Sequence, residues 1–143
     1  MNISALNQQF GNNNHLIFFE GTGSLPCVKI KNTHAECTLS LYGAHVLSFK
    51  PAGQPDLLWM SDTSAFENGK AIRGGIPLCF PWFGPHESDS SKPQHGFARD
   101  NEFICVEQTD DFLLFELTAS DQTLVNYPFH FSFQVGYKLI DNK

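Results

Sequence analysis

The most restrictive feature of this chain is an apolar alternation of period two. From Phe129 to Leu139, the residues Phe129, Phe131, Phe133, Val135, Tyr137 and Leu139 share one face, while His130, Ser132, Gln134, Gly136 and Lys138 share the other. Successive side chains of an extended strand point to opposite sides, so the pattern predicts a strand with one buried face. Ala35, Cys37, Leu39 and Leu41 repeat it against Glu36, Thr38 and Ser40. Leu113, Phe115, Leu117 and Ala119 alternate as well, with Phe112 and Leu114 adding apolar groups to the opposite face. Shorter strands are predicted at Leu16–Glu20, Pro26–Lys31, Ala44–Lys50, Leu57–Met60 and Glu102–Glu107, with turn residues such as Gly21-Thr22-Gly23 and Pro51-Ala52-Gly53 between them. Without a recurring helical pattern between strands, βαβ units are excluded and an antiparallel all-β sheet is expected. Ile3, Leu6 and Phe10 have helical spacing, with Ser4 as a cap and Gly11-Asn12-Asn13-Asn14 as a stop, which predicts one short turn of helix.

A chain of 143 residues is one domain by size. Its 14 phenylalanines require a packed interior. The net charge of −6 comes with no basic stripe, so nucleic acid is not an expected partner. No apolar run reaches the ~18–20 residues that cross a bilayer, so no membrane partner is expected. Met1–Gln9 lacks a positive region and a long apolar core, so no secretory signal and a cytoplasmic setting are expected. Cys27, Cys37, Cys79 and Cys105 show no C-x-x-C spacing and read as four buried free thiols.

The middle of the chain departs from the strand pattern. Ile76-Pro77-Leu78-Cys79-Phe80-Pro81-Trp82-Phe83-Gly84-Pro85 is apolar, but its prolines lack the N–H that a central strand needs. A structured loop of this length is a common carrier of function. Two groups of residues stand out. Arg73-Gly74-Gly75 sets an always-charged fork beside backbone that a ligand can approach closely, which suits sugar hydroxyls, carboxylates or phosphate. The bland alternative is an Arg on the rim of a turn, paired with a surface acid. Gln94-His95-Gly96-Phe97-Ala98-Arg99 offers an amide, an imidazole and a second guanidinium. Here the bland alternative has His95 satisfied by a carbonyl and Arg99 by Asp100. Phe80, Trp82 and Phe83 could stack on a pyranose; Phe80 fits the core better, and the Trp82 N–H wants a partner. The six histidines lack metal-ligand spacing, and neither G-x-S-x-G nor a P-loop occurs.

Lys70-Ala71-Ile72-Arg73-Gly74-Gly75-Ile76-Pro77-Leu78-Cys79-Phe80-Pro81-Trp82-Phe83-Gly84, followed by Pro93-Gln94-His95-Gly96-Phe97-Ala98-Arg99, closely resembles the hexose-6-phosphate mutarotases (glucose-6-phosphate 1-epimerases) of the aldose-1-epimerase superfamily. Weaker likeness extends to Leu41–Lys50, Asp56–Ser61 and Tyr127-Pro128-Phe129. The resemblance implies an antiparallel β-sandwich of the galactose-mutarotase type. It implies interconversion of the α and β anomers of a hexose 6-phosphate with no cofactor and no metal. It assigns substrate binding to Arg73, Gln94 and Arg99 and, by analogy with the galactose mutarotases, to His95. The family's acid His and base Glu belong to its second half, the His in an Ala-Leu-His-x-Tyr-Phe-like motif that this chain lacks, so no catalytic residue is assigned here. Residues 1–143 are therefore expected to be the N-terminal half of one sandwich domain. Such a half leaves sheet surface uncovered, and self-association is expected.

Overall fold

The computed structural model describes residues 2–12 and 15–141. Two antiparallel sheets form, as the alternation requires. The first is a meander of β1 (Leu16–Glu20), β2 (Pro26–Lys31), β3 (Ala35–Ser40) and β4 (His45–Pro51), each strand pairing with the next. The second is β5 (Ile104–Gln108), β6 (Phe112–Thr118) and β7 (Ser132–Lys138), again in chain order. One core joins them: Val28, Ile30 and Leu39 of the first sheet pack in the same cluster as Cys105, Leu113, Phe115 and Leu117 of the second. Across this core the Tyr137 hydroxyl of β7 donates to the Ala44 carbonyl at the head of β4.

Helix α1 (Ile3–Phe10) is longer than the single turn expected, and Asn2 rather than Ser4 caps it, accepting from the Ala5 N–H at 3.2 Å. Of the predicted stop, Gly11 donates to the Asn7 carbonyl at 2.9 Å, while Asn13 and Asn14 lie outside the described residues. The helix persists because it has tertiary work. Asn7 donates through Nδ2 to the Phe18 carbonyl at 2.7 Å and accepts the Phe18 N–H at 2.8 Å. One side chain thus pairs both backbone groups of a residue on edge strand β1, where an open edge invites wrong pairing. A second helix, α2 (Asp121–Leu124), was not expected; a capping box between Ser120 and Thr123 holds it.

Other differences from the sequence reading have local causes. Leu57–Met60 forms no strand: Leu57 donates to Phe49 and Met60 makes one isolated bridge to Gly74. The last strand begins at Ser132, because Phe129 and Phe131 lie in an irregular approach to it. Of the four thiols, Cys27 and Cys105 are buried, Cys37 is half-buried and Cys79 is exposed. Burial pushes the Cys27, Cys37 and Cys105 thiols up to about 11, so all three stay protonated at neutral pH.

The irregular stretch from Ala52 to Phe103 is tied to the sheets at a few points. Isolated bridges join Val46 to Ile76, Phe80 to Gly96 and Tyr42 to Glu102. Phe80 is the main anchor. Its ring stacks on Phe133 of β7 at 4.3 Å and 9° and contacts Phe131, Tyr127 and Phe97. Its carbonyl accepts both the Phe97 and Ala98 N–H groups, at 2.9 and 3.2 Å. Phe80→Ala should therefore destabilise the chain by about 3–5 kcal/mol, seen as a lower urea midpoint at unchanged m. A loss near zero would show that the loop is held without this ring.

Candidate functional site

Arg73-Gly74-Gly75 lies beside β4 with almost all of its backbone engaged. The Arg73 N–H donates to Ser64 Oγ at 3.1 Å, and the Arg73 carbonyl accepts from Ser61 at 3.0 Å. The Gly75 N–H donates to the Trp59 carbonyl at 2.9 Å, and the Gly74 carbonyl pairs with His45 Nε2 at 2.7 Å. Both glycines have positive φ, +106° and +62°. A Cβ at Gly75 would sit 2.1 Å from the Val46 carbonyl oxygen, and one at Gly74 would sit 2.4 Å from that of Trp59. Conformation and space both demand glycine here. The result is a fixed backbone carrying an exposed arginine side chain.

The second motif is built around His95. Its backbone has φ +67°, unusual for a residue with a side chain. Its N–H donates to the Gly84 carbonyl at 2.7 Å, and its Nδ1 accepts the Gly84 N–H at 2.9 Å. These two bonds close the loop from Gly84 to His95. They also fix the tautomer: with Nδ1 accepting, the ring proton is on Nε2. Gly96 follows with φ +71°, and a Cβ there would lie 2.0 Å from the Phe80 carbonyl oxygen.

These two motifs meet. Arg73, Gln94, His95 and Arg99 line one cleft of about 480 Å³, together with the Gly74–Gly75 backbone and Pro77. All four residues singled out in the sequence are thus brought together. No carboxylate is among the residues that line it. The three ion pairs among the described residues, Lys29–Glu36, Lys70–Glu67 and Lys138–Asp111, involve neither arginine. The Arg99 side chain donates through Nη2 to the Gln94 carbonyl at 2.9 Å, while its buried Nε has no partner. Asp100 does not satisfy Arg99. Its Oδ1 is buried without a partner, and burial raises its carboxyl above the usual range, with Arg99 opposing. His95 is satisfied by a backbone N–H rather than by a carbonyl.

The aromatic candidates divide. Phe80 is core. Trp82 spends its N–H on the Pro93 carbonyl at 2.9 Å and packs against His86 and Phe97. Phe83 stays exposed, with its ring 4.9 Å from that of His95.

Sequence reading overlooked His45. It is wholly buried, and its Nε2–H donates to Gly74 from beneath the Arg-Gly-Gly turn. A Cβ on Gly75 would lie 2.9 Å from that nitrogen, so ring and turn are in close contact. Its Nδ1 has no partner. Burial pushes its pKa down, the Gly74 bond opposes, and the Arg99 charge lowers it further. No spacing rule finds it, because its partner is 29 residues away in an irregular loop.

His45 gives the fold a pH dependence of defined sign. Its folded pKa lies below the ordinary 6.5, so its contribution is fully present above that pH and is lost as pH falls below it. Asp100, raised by burial, acts in the opposite sense. His45→Gln keeps an amide donor and removes the titration, leaving Asp100 unchanged. Urea midpoints should fall less between pH 7 and pH 5 in His45→Gln than in the parent chain. Equal slopes would show that His45 protonates as easily folded as unfolded.

Comparison with known proteins places this architecture. Residues 26–143 match the family model described as aldose 1-epimerase. The chain is 38% identical over 119 residues to an Escherichia coli protein provisionally named glucose-6-phosphate 1-epimerase, covering 80% of this chain and 40% of that protein. It is 35% identical to a Salmonella typhimurium protein of the same provisional name, with the same coverage. Its structure superimposes on a provisionally assigned mutarotase (YeaD) from Salmonella typhimurium with a TM-score of 0.80 and 33% identity, over 89% of this chain and 44% of that one. A galactose mutarotase-like protein from Lactobacillus casei gives a TM-score of 0.69 at 25% identity, over 80% and 40% of the two chains. The chain thus spans about 40% of the length of the curated relatives it matches. The match over most of its residues, with two antiparallel sheets of the mutarotase type, shows that this chain belongs to the aldose 1-epimerase family.

Proposed function

We propose that the cleft binds a hexose 6-phosphate and serves the interconversion of its α and β anomers, with Arg73, Gln94, His95 and Arg99 as the binding residues. The observation that carries this reading is a pair of guanidinium groups, neither in an ion pair among the described residues, in one cleft whose lining holds no carboxylate, in a chain with net charge −6. An arginine in an acidic protein finds a carboxylate readily; two that do not are available to an external anion. Guanidinium and phosphate match in charge and in donor geometry. The His95 Nε2–H and the Gln94 amide add neutral groups suited to sugar hydroxyls. The names of the relatives support the same class of ligand.

Anomer exchange needs one group to protonate the ring oxygen as the C1–O5 bond breaks and another to take the proton from the C1 hydroxyl. The open aldehyde then rotates about C1–C2 and recloses from the other face. Each proton-transfer group contributes about 10²–10⁴-fold. The cleft lining offers no carboxylate to act as base. In our reading these 143 residues form the N-terminal, substrate-binding half of one sandwich domain, and the acid His and base Glu come from outside them. The same lack of a base favours one alternative: phosphosugar binding or regulation without turnover.

Magnetisation-transfer NMR of glucose 6-phosphate separates the two. The chain alone should broaden the sugar signals without accelerating α/β exchange over the spontaneous rate, and Arg73→Ala should abolish the broadening. Acceleration that Arg73→Ala removes would show an acid/base pair within the chain or assembled between copies. Broadening unchanged by Arg73→Ala would remove Arg73 from the site.

A further inference from the structure

We propose that the Phe83 ring is the apolar wall of the sugar subsite, covering the C–H face of a pyranose whose hydroxyl accepts from His95 Nε2; this rests on the reading of the cleft as a sugar-phosphate site. Phe83 is 82% exposed. Its neighbours explain why the backbone is nevertheless fixed. On one side Trp82 is anchored by its bond to Pro93 and by packing on Phe97. On the other, Gly84 is bonded to His95 through both its N–H and its carbonyl. An exposed phenylalanine between two anchored residues is presented to solvent rather than left loose.

Its position gives that exposure a use. The ring centroid lies 4.9 Å from the His95 imidazole, inclined at 61°. His95 lines the arginine cleft and has only Nε2–H left to offer, since Nδ1 is taken. Phe83 is not itself in the cleft lining but packs against the ring of His95, which is, so a sugar bonded to that ring and extending past the lining meets Phe83. Phosphate alone has no C–H surface to bury there. A pyranose has a polar rim and an apolar face, and so matches a donor beside an exposed aromatic ring. The arginines would then set affinity for the phosphate, and Phe83 would distinguish a sugar phosphate from the bare anion. The cleft volume of about 480 Å³ leaves room for more than a phosphate group.

The test compares two probes on the full 143-residue chain. Glucose 6-phosphate and inorganic phosphate are titrated separately, by ³¹P line broadening, against the parent, Phe83→Ala and Phe83→Trp. Phe83→Ala should weaken glucose 6-phosphate binding about tenfold and leave phosphate binding as it was. Phe83→Trp should hold both. Phe83 buries little surface, so the fold does not depend on it, and a circular dichroism melt of each variant checks this. If Phe83→Ala changes neither affinity, or weakens both equally, the stacking role is wrong while the cleft stands. If the parent chain binds neither probe, the reading of the cleft fails and this inference with it.

Discussion

The Gln94–Arg99 side of the cleft hangs on the two hands of Phe80. Its side chain reaches into the second sheet and stacks on Phe133. Its backbone carbonyl reaches the other way and collects the N–H groups of Phe97 and Ala98. The first attachment fixes the Pro-rich segment on the body of the protein; the second draws in the segment bearing Gln94, His95 and Arg99. Gly96 lets the two backbones approach, because any side chain there would collide with that carbonyl. An irregular segment cannot satisfy its backbone through a sheet ladder. It must do so residue by residue, and each such bond is also a constraint on where the functional side chains lie.

The electrostatics follow from the same accounting. At Arg73 the backbone is spent on the Ser64 hydroxyl and the Ser61 N–H, and the exposed side chain is in none of the ion pairs among the described residues. Arg99 gives one donor to the Gln94 carbonyl, a group with no net charge. Asp100, the one acid next to it in sequence, is directed into a buried position where its charge is disfavoured. Each choice leaves positive charge in the cleft. A bound anion would gain from both guanidiniums without first breaking an ion pair, which is the condition for strong charge-assisted recognition.

The sequence was legible where physics is local. Strands β1 and β2 appear at the predicted residues, because alternation and flanking turns are properties of adjacent positions. The motif pair was legible for a different reason: Arg-Gly-Gly and Gln-His-Gly carry residue types whose conformational and chemical uses are narrow. Leu57–Met60 misled because apolar composition alone does not make a ladder: Leu57 and Trp59 are exposed, and the segment's backbone bonds to β4 only through the Leu57 N–H on the Phe49 carbonyl. The reach of α1 was hidden since its stability comes from Asn7 on the backbone of β1, a contact 11 residues away. His45 was invisible on the same grounds. Its bond to Gly74 exists only once the loop has folded back over β4.

His45 and His95 show how little of a histidine's role is written in the residue itself. Both rings carry the proton on Nε2 when neutral, yet for opposite reasons. His45 uses that proton on the Gly74 carbonyl, and its bare Nδ1 is sealed inside the protein. It supports a turn and has nothing to give a ligand. His95 is held through Nδ1 by the Gly84 N–H, which leaves its Nε2 proton unspent on a ring that lines the cleft. The difference lies in which backbone group meets the ring: a carbonyl consumes the donor, and an N–H frees it. The same closure uses the His95 backbone, which runs through positive φ and donates its own N–H to the Gly84 carbonyl.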